Sequence, residues 1–313
     1  MKFVLAPLAG FTDAPFRRLC REGGADFAYT EMVSAAGLAH GSEPTRMLMD
    51  VMDGEGPVGC QLFGAKETDL ARAAAEVPET FAEVNLNAGC PMLKVTREGA
   101  GAKLVENPER IYRLLKAMVE NTALPVTLKT RLGPHPQATN VFEIVDAAER
   151  AGAKAVCVHA RYTSQMHGGP VHLDVLAEVV RRSRLPVTGN GSVVDAASAA
   201  AMAATGVDAI MVGRAALARP GVFAELKGVA CALPASPCRR HLELLLKFRE
   251  QEAAAHPGCH VPGPDAFASV KMHVHLFRYF NGRPGAAALR ARLNAVRTLA
   301  EIEDLIRGFE IMV

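Results

Sequence analysis

Short β-type runs alternate with helical segments along most of this 313-residue chain. Several runs follow a proline or glycine, as strands do after the turn that ends a helix. Eight runs with crossover helices over about 230 residues favour a (β/α)8 barrel over an open doubly wound sheet. The predicted strands are Phe3–Ala6, Phe27–Thr30, Val58–Phe63, Phe81–Leu86, Val126–Arg131, Ala155–His159, Val187–Thr188 and Ala209–Val212.

Amphipathic or alanine-rich stretches separate most of these strands. The predicted barrel helices are Ala14–Arg21, Thr68–Glu76, Pro108–Asn121, Val141–Ala151, Leu173–Arg182 and Asp195–Thr205. Beyond a linker with Pro234 and Pro237, the pattern predicts only helices. These are Arg239–Ala255, Phe267–Phe280 and Ala286–Arg307. The sequence therefore predicts an α/β TIM barrel over residues 1–230 and a small all-helical domain over 238–313.

The formal net charge of +2 identifies no partner by itself, but the charges are unevenly distributed. No acidic residue lies between Asp265 and Glu301. This stretch is either a solvated helical face or a surface for a polyanion. Its basic residues are Lys271, Arg278, Arg283, Arg290, Arg292 and Arg297.

The seven cysteines form no pair with metal-binding spacing, so we expect no metal site and a reducing compartment. No apolar run is long enough to cross a bilayer, and the first residues carry no leader pattern. We therefore expect a cytoplasmic protein that does not associate with membranes.

Polar residues recur where the predicted strands end. In such a barrel the carboxyl ends of the strands form the active-site rim, and recurring charged and amide groups there indicate a polar ligand. These strand-end positions are Pro7-Leu8-Ala9-Gly10, Glu31-Met32, Gln61, Asn87 with Cys90, Lys129 with Arg131, His159 with Arg161, Asn190-Gly191 and Gly213-Arg214.

The last two positions point to phosphate. Asn190-Gly191 and Gly213-Arg214 follow strands seven and eight, where barrels commonly bind phosphate through backbone amides and a short helix. Ordinary turns between strand and helix are the alternative interpretation. Lys129 could either stabilise a charge in the mouth or pair with a carboxylate such as Glu31, and His159 alone could be a core residue.

Cys90 lies in a turn between Gly89 and Pro91, which favours a presented thiol over a packed one. A small buried hydrophobe is the alternative. Lys94 and Arg97 are close in sequence and would favour a thiolate, whereas a proton donor needs the thiol, so charge alone does not decide its role.

Together these segments resemble the tRNA-dihydrouridine synthases, flavin-dependent barrel enzymes that saturate the C5–C6 bond of uridines in tRNA. The resemblance covers residues 3 to about 225 in the order of the family, and the cysteine segment combined with the first segment is highly specific. The matching segments are Ala6–Arg17, Thr30–Ala35, Gln61–Gly64, Asn87–Pro91 with Lys94-Val95, Gly99–Ala102, Pro125–Arg131, His159–Arg161, Asn190-Gly191 and Val212–Ala216.

The resemblance implies an FMN cofactor, reduction by NADPH, and Cys90 as the general acid that protonates uracil C5. It places Asn87 and Arg131 near the uracil and Lys94 at the entry rim. The residues implied to bind FMN are Pro7, Leu8, Ala9, Gln61, Lys129, His159, Asn190, Gly191, Gly213 and Arg214. In the helical domain, whose match is weaker, the implied tRNA contacts are Lys271, Arg278, Arg283, Arg290 and Arg292.

Tyr162 and His167 depart from the pattern of the family, which leaves the substrate contacts and the modified uridine open. The alternative functions are an FMN barrel reductase for a small molecule and an RNA-binding protein with an inactive barrel. Neither predicts both the Cys90 turn and the basic helical domain. A monomer is the simplest expectation.

Overall fold

The computed structural model describes residues 1–234, 236–282 and 285–311. Eight parallel strands pair in chain order and close into a barrel, because the first strand also pairs with the eighth. This confirms the predicted fold class. The strands are β1 (Lys2–Leu5), β2 (Phe27–Ser34), β3 (Val58–Phe63), β4 (Glu83–Ala88), β5 (Val126–Arg131), β6 (Val156–His159), β7 (Val187–Asn190) and β8 (Ala209–Val212).

Helices surround the barrel and follow it in the chain. The first group is α1 (Ala14–Glu22), α2 (Ala35–Ala39), α3 (Glu43–Arg46), α4 (Glu67–Glu76), α5 (Leu93–Thr96), α6 (Pro108–Val119), α7 (Val141–Ala151) and α8 (Leu173–Arg182). The second is α9 (Ala196–Ala203), α10 (Arg214–Ala218), α11 (Val222–Lys227), α12 (Cys238–Ala255), α13 (Pro264–Tyr279), α14 (Ala286–Leu293) and α15 (Leu299–Glu310). In the part of the chain described, no helix combines the length and apolarity needed to span a membrane.

Local sequence explains where several elements begin and end. The Asp13 carboxylate accepts a hydrogen bond from the Phe16 amide and caps α1, and Gly152 ends α7 at a φ of 89°. Strand β2 runs four residues beyond its predicted end. It does so because its pairing with β3 shifts register between Tyr29 and Met32 and then continues to the end of β3.

The single helix predicted over Ala286–Arg307 is wrong. The chain leaves α14 after Leu293 and starts α15 at Leu299, because the Thr298 hydroxyl and the Glu301 carboxylate form a capping box. The helical spacing of apolar residues continues across the break between the two helices, so the apolar pattern does not reveal the break. The cap is readable only as Thr298 followed three residues later by Glu301.

The C-terminal helices pack against one side of the barrel. Arg240 on α12 forms an ion pair with Glu22 on α1 at 2.7 Å, and the Phe16 ring lies 4.8 Å from the His275 ring on α13. The buried apolar residues of α12 to α15 form one continuous hydrophobic core with those that pack between the barrel strands and their surrounding helices. The helical region is therefore fixed to the barrel beside the ends of β1 and β2.

Candidate active site

The loop after β4 holds Cys90 by its backbone. The Asn87 carboxamide oxygen accepts hydrogen bonds from the amides of Gly89, at 3.1 Å, and Cys90, at 2.9 Å. The Cys90 carbonyl accepts the Ala102 amide at 2.8 Å. Gly101 has a φ of 58°, and a Cβ there would lie 2.6 Å from the Cys90 carbonyl, so this position requires glycine.

Arg131 fixes the same loop from the end of β5. Its Nε donates to the Gly89 carbonyl at 2.7 Å and its Nη1 to the Tyr162 carbonyl at 3.2 Å. The side chain is 1% exposed, and burial lowers the pKa of its guanidinium to about 10. Cys90 itself is half-buried. The thiol is therefore presented on a braced turn at the strand-end mouth.

A chain of hydrogen bonds inside the barrel supports Asn87. Its Nδ2 donates to the Gln61 carboxamide oxygen at 2.8 Å, and Gln61 Nε2 donates to Asn85 at 2.7 Å. Asn85 donates to Thr127 at 2.8 Å, and Thr127 donates to Glu83 at 2.6 Å. The side-chain amide of Gln61 thus accepts one hydrogen bond from Asn87 and donates one to Asn85. Asn87 is held at the upper end of this chain.

Cationic side chains line the ends of β5 to β8. Among the described residues, none of these cations bonds to a carboxylate; their partners are carbonyls, hydroxyls, amides and imidazole. Burial holds the pKa of His159 far below its ordinary value, and the positive charges of Lys129, Arg131 and Arg161 add to this effect. The cluster carries positive charge without a protein counterion. Its members are Lys129, Arg131, Arg161 and Arg214.

Two glycine turns border this cationic cluster. Gly191 has a φ of +132°, and a Cβ there would lie 3.2 Å from the His159 ring, so the backbone comes close to the imidazole only because this residue is glycine. Arg161 Nη2 donates to the Ser192 hydroxyl at 2.6 Å. Lys129 Nζ contacts Asn190 Oδ1 at 3.3 Å. Lys129 therefore does not pair with Glu31, the carboxylate that the sequence had left open as its partner.

The opposite side of the mouth, at the ends of β1 and β2, carries the Pro7-Leu8-Ala9-Gly10 loop. The Glu31 carboxylate accepts the Gly10 amide, and burial raises the pKa of Glu31. Lys271 on α13 reaches the barrel here and pairs with Asp13 at 3.2 Å. This predicted tRNA contact is therefore engaged with the barrel.

Of the other predicted substrate contacts, Lys94 and Arg278 are exposed, whereas Arg290 is half-buried and its Nη1 is buried without a hydrogen-bond partner among the described residues. Lys94 lies on α5 beside the Cys90 loop. The Arg278 guanidinium lies 5.7 Å from the Phe11 ring centre, and Arg290 lies 5.7 Å from that of Phe277. Arg283 lies outside the described residues.

Sequence reasoning omitted several site residues. Arg161 was noted beside His159 but was not assigned a ligand, although its guanidinium joins Ser192 to the cationic cluster. The signal was its position two residues beyond His159, directly after the end of β6. The chain bends there, and the Arg161 amide donates to the His159 carbonyl at 2.6 Å. Asp13, His241 and His275 also meet, and their separation in sequence concealed this.

Comparisons with known proteins now bear on this geometry. The profile of the family described as dihydrouridine synthase (Dus) matches residues 4–310. The chain belongs to the dihydrouridine synthase family. It is therefore a flavin-dependent oxidoreductase, as the sequence resemblance implied.

Relatives with assigned names agree. The chain is 36% identical over 228 residues to tRNA-dihydrouridine synthase B of Klebsiella pneumoniae and, equally, to that of Escherichia coli K12, covering 72% of this chain and 71% of each relative. Among solved structures, a mutant of morphinone reductase in complex with tetrahydroNAD superposes with a TM-score of 0.53 at 13% identity. That alignment covers 73% of this chain and 87% of the other. This likeness concerns the barrel fold alone.

Proposed function

We propose that this dihydrouridine synthase reduces the C5–C6 double bond of uridines in tRNA, with FMN as its flavin, NADPH as the electron donor and Cys90 as the general acid. One observation carries the proposal. The Cys90 loop and a cationic cluster without a carboxylate partner share the same barrel mouth and are joined by Arg131. Family membership and the names of the relatives support the reaction.

The residues at the ends of β5 to β8 fit a phosphate-bearing flavin. Four cations in the described part of the chain have no carboxylate partner, and two of them, Arg131 and Arg161, are buried, so gathering these like charges is costly without an anion. Gly191 leaves no room for a side chain, since a Cβ there would meet Val171 and His159, so this turn keeps a bare backbone. A phosphate can approach the amides there and the guanidinium of Arg161.

Each residue of the mouth has a separate task in this proposal. Arg161 and Arg214 hold the phosphate of the cofactor, together with His159, Asn190, Gly191 and Gly213. Pro7, Leu8 and Ala9 form the apolar wall for the ring system, and Lys129 approaches its polar edge together with Gln61. When bound and reduced, the flavin supplies the hydride that saturates uracil C6.

Cys90 completes the addition. Its Sγ–H gives a proton to uracil C5, because the uracil ring has enolate character once C6 has received the hydride. The thiol must therefore be protonated and close to C5. Asn87 and Arg131 hold the loop from two sides, which fixes the thiol without using its sulfur. The half-buried position limits water without closing the site.

The basic surface of the helical region and the rim lysine Lys94 would hold the tRNA backbone. Phosphate contacts position an RNA without reading its sequence. The target uridine must leave its stack to enter the mouth, as other base-modifying enzymes require. We further propose a cytoplasmic monomer, which matches an enzyme that acts on free tRNA.

The function is tested with tRNA from cells that lack this protein. Purified protein with NADPH should form dihydrouridine in that tRNA, detected by mass spectrometry of the nucleosides. Free uridine and small enoates should not be reduced at a comparable rate. NADPH oxidation that is supported by a small enoate but not by tRNA would contradict the proposal and favour the small-molecule reductase.

A further inference from the structure

Three potential metal ligands meet where the helical region packs on the barrel. Asp13 lies before α1, His241 on α12 and His275 on α13, and one donor atom from each lies within 4.8 Å of the others. Asp13 is 8% exposed, His241 is fully buried and His275 is 1% exposed. A carboxylate and two imidazoles from three separate elements are thus brought together away from water.

Each of the two histidines has one ring nitrogen that forms no hydrogen bond. His241 Nε2 and His275 Nδ1 are buried and have no hydrogen-bond partner among the described residues. A buried polar atom without a partner costs about 1–3 kcal/mol, so such atoms call for an explanation. The two rings are 4.4 Å apart and nearly perpendicular, so they do not simply stack.

The surroundings of His241 match those of a metal-binding imidazole. Its Nδ1 lies 2.9 Å from the Tyr279 hydroxyl. When Nδ1 donates to that oxygen, Nε2 is left with a free lone pair. Metal-bound histidines commonly donate their second nitrogen to an oxygen in this way.

The charge balance around the three ligands also favours a cation. Asp13, Glu31 and Glu252 all act on the single ammonium of Lys271, which lies 3.2 Å from the Asp13 carboxylate. Arg17 also acts on Glu31, and His256 on Glu252. A divalent ion at the three ligands would place further positive charge beside the Asp13 carboxylate.

We propose that Asp13, His241 and His275 bind a divalent transition-metal ion of the zinc class, which joins the helical region to the barrel. Zinc takes this mixture of nitrogen and oxygen ligands at about 2.0–2.2 Å, with donors about 3.4 Å apart in a tetrahedron. Small side-chain movements therefore close the site, and water fills the fourth position. Lys271 is the competing cation in the metal-free protein.

The site has a structural role. It lies outside the Cys90 loop and the cationic cluster, and its ligands come from both sides of the packing interface. Binding that occurs only in the folded protein stabilises it in proportion to the logarithm of the metal concentration over Kd. The sequence predicted no metal site because the ligands are distant in the chain and none is a cysteine.

The test uses the full-length flavin-loaded protein after dialysis against a chelator. Titration with Zn²⁺, and with Co²⁺ followed by its visible absorption, should show one equivalent bound with a Kd below about 1 µM, with a rise in Tm. His275→Gln should weaken binding at least about 100-fold, since it removes a ligand. His273→Gln, on the same helix but outside the cluster, is the matched control and should bind as the wild type does.

A further variant separates metal binding from folding. Lys271→Met removes the competing charge and should tighten Zn²⁺ binding, whatever the stability of His275→Gln. Wild-type protein that binds neither ion below about 100 µM would overturn the site. So would unchanged affinity in a folded His275→Gln protein, or weaker affinity in Lys271→Met.

Discussion

The two halves of the barrel mouth have opposite electrostatic character. The ends of β5 to β8 gather four cations with no carboxylate partner among the described residues. The ends of β1 and β2, with α12 and α13 packed on them, gather carboxylates around one lysine. One half of the mouth is therefore suited to an anion. The other half is suited to cations and to contacts between the barrel and the helical region.

The histidines show what this difference does. His159, among the cations, has its pKa held far below the ordinary value by burial and positive charge. His256, at the end of α12, lies 2.8 Å from Glu43 and 2.9 Å from Asp50, and these carboxylates raise its pKa despite the opposing effect of burial. Protonation of the same type of side chain is therefore disfavoured in one half and favoured in the other.

The largest expected effect comes from removing charge in the cationic half. Arg161→Ala with Arg214→Ala should lower flavin affinity by about 100-fold or more, since each charge-assisted hydrogen bond contributes about 1.5–3 kcal/mol. Fluorescence titration of the flavin-free protein with FMN measures this. The same variant should also prefer FMN over riboflavin less strongly than the wild type does.

Arg181→Ala is the control, because this arginine is exposed on α8 and pairs with Glu178 away from the mouth. It should bind FMN as the wild type does. If the double variant bound FMN with the affinity of the wild type, the cationic half of the mouth would not be the site that binds the anion.

A smaller effect is expected from the surface of the helical region. Arg278→Glu with Arg290→Glu should weaken tRNA binding by about tenfold or more at moderate salt and reduce its salt dependence, while flavin content is retained. Filter binding at several salt concentrations measures this. Arg239→Glu on α12 serves as the control, and tRNA affinity that is unchanged in the Arg278 and Arg290 variant would exclude this surface as the RNA contact.

The smallest effect concerns pH. The folded-state pKa of His256 is raised, so its contribution to stability is complete below the pKa of the unfolded chain, about 6.5, and is lost as pH rises through the folded value. The Tm of the wild type should therefore fall more between about pH 6 and pH 8.5 than that of His256→Gln. If Tm changed with pH in the same way in both proteins, this would contradict the ion pairing of His256 with Glu43 and Asp50.

Much of the barrel was readable from the sequence because parallel strands are buried on both faces and appear as short apolar runs between helices. The bounds predicted for β3, β5 and β8 match the structure. The extra length of β2 was not predictable, since it depends on pairing with a neighbour. The break between α14 and α15 was missed because a cap interrupts an otherwise continuous periodicity.

For the candidate site, the strand ends predicted which residues share one mouth but not the contacts that these residues make. Cys90, Lys129 and His159 do lie at one mouth, as barrel topology requires. The use of Arg131 as a brace for Gly89, and of Gln61 as a link between two asparagines, depends on side-chain geometry. The meeting of Asp13 with His241 and His275 depends on how the helical region packs, which no local pattern encodes.

The most direct test of the account concerns the Cys90 thiol. Cys90→Ala should bind FMN and be reduced by NADPH as the wild type is, yet form dihydrouridine at least about 100-fold more slowly in a single turnover with tRNA, because general acid catalysis contributes about 10²–10⁴-fold. Cys259→Ala, which alters another half-buried cysteine, should react normally. Dihydrouridine formation at the wild-type rate in Cys90→Ala would contradict the central claim.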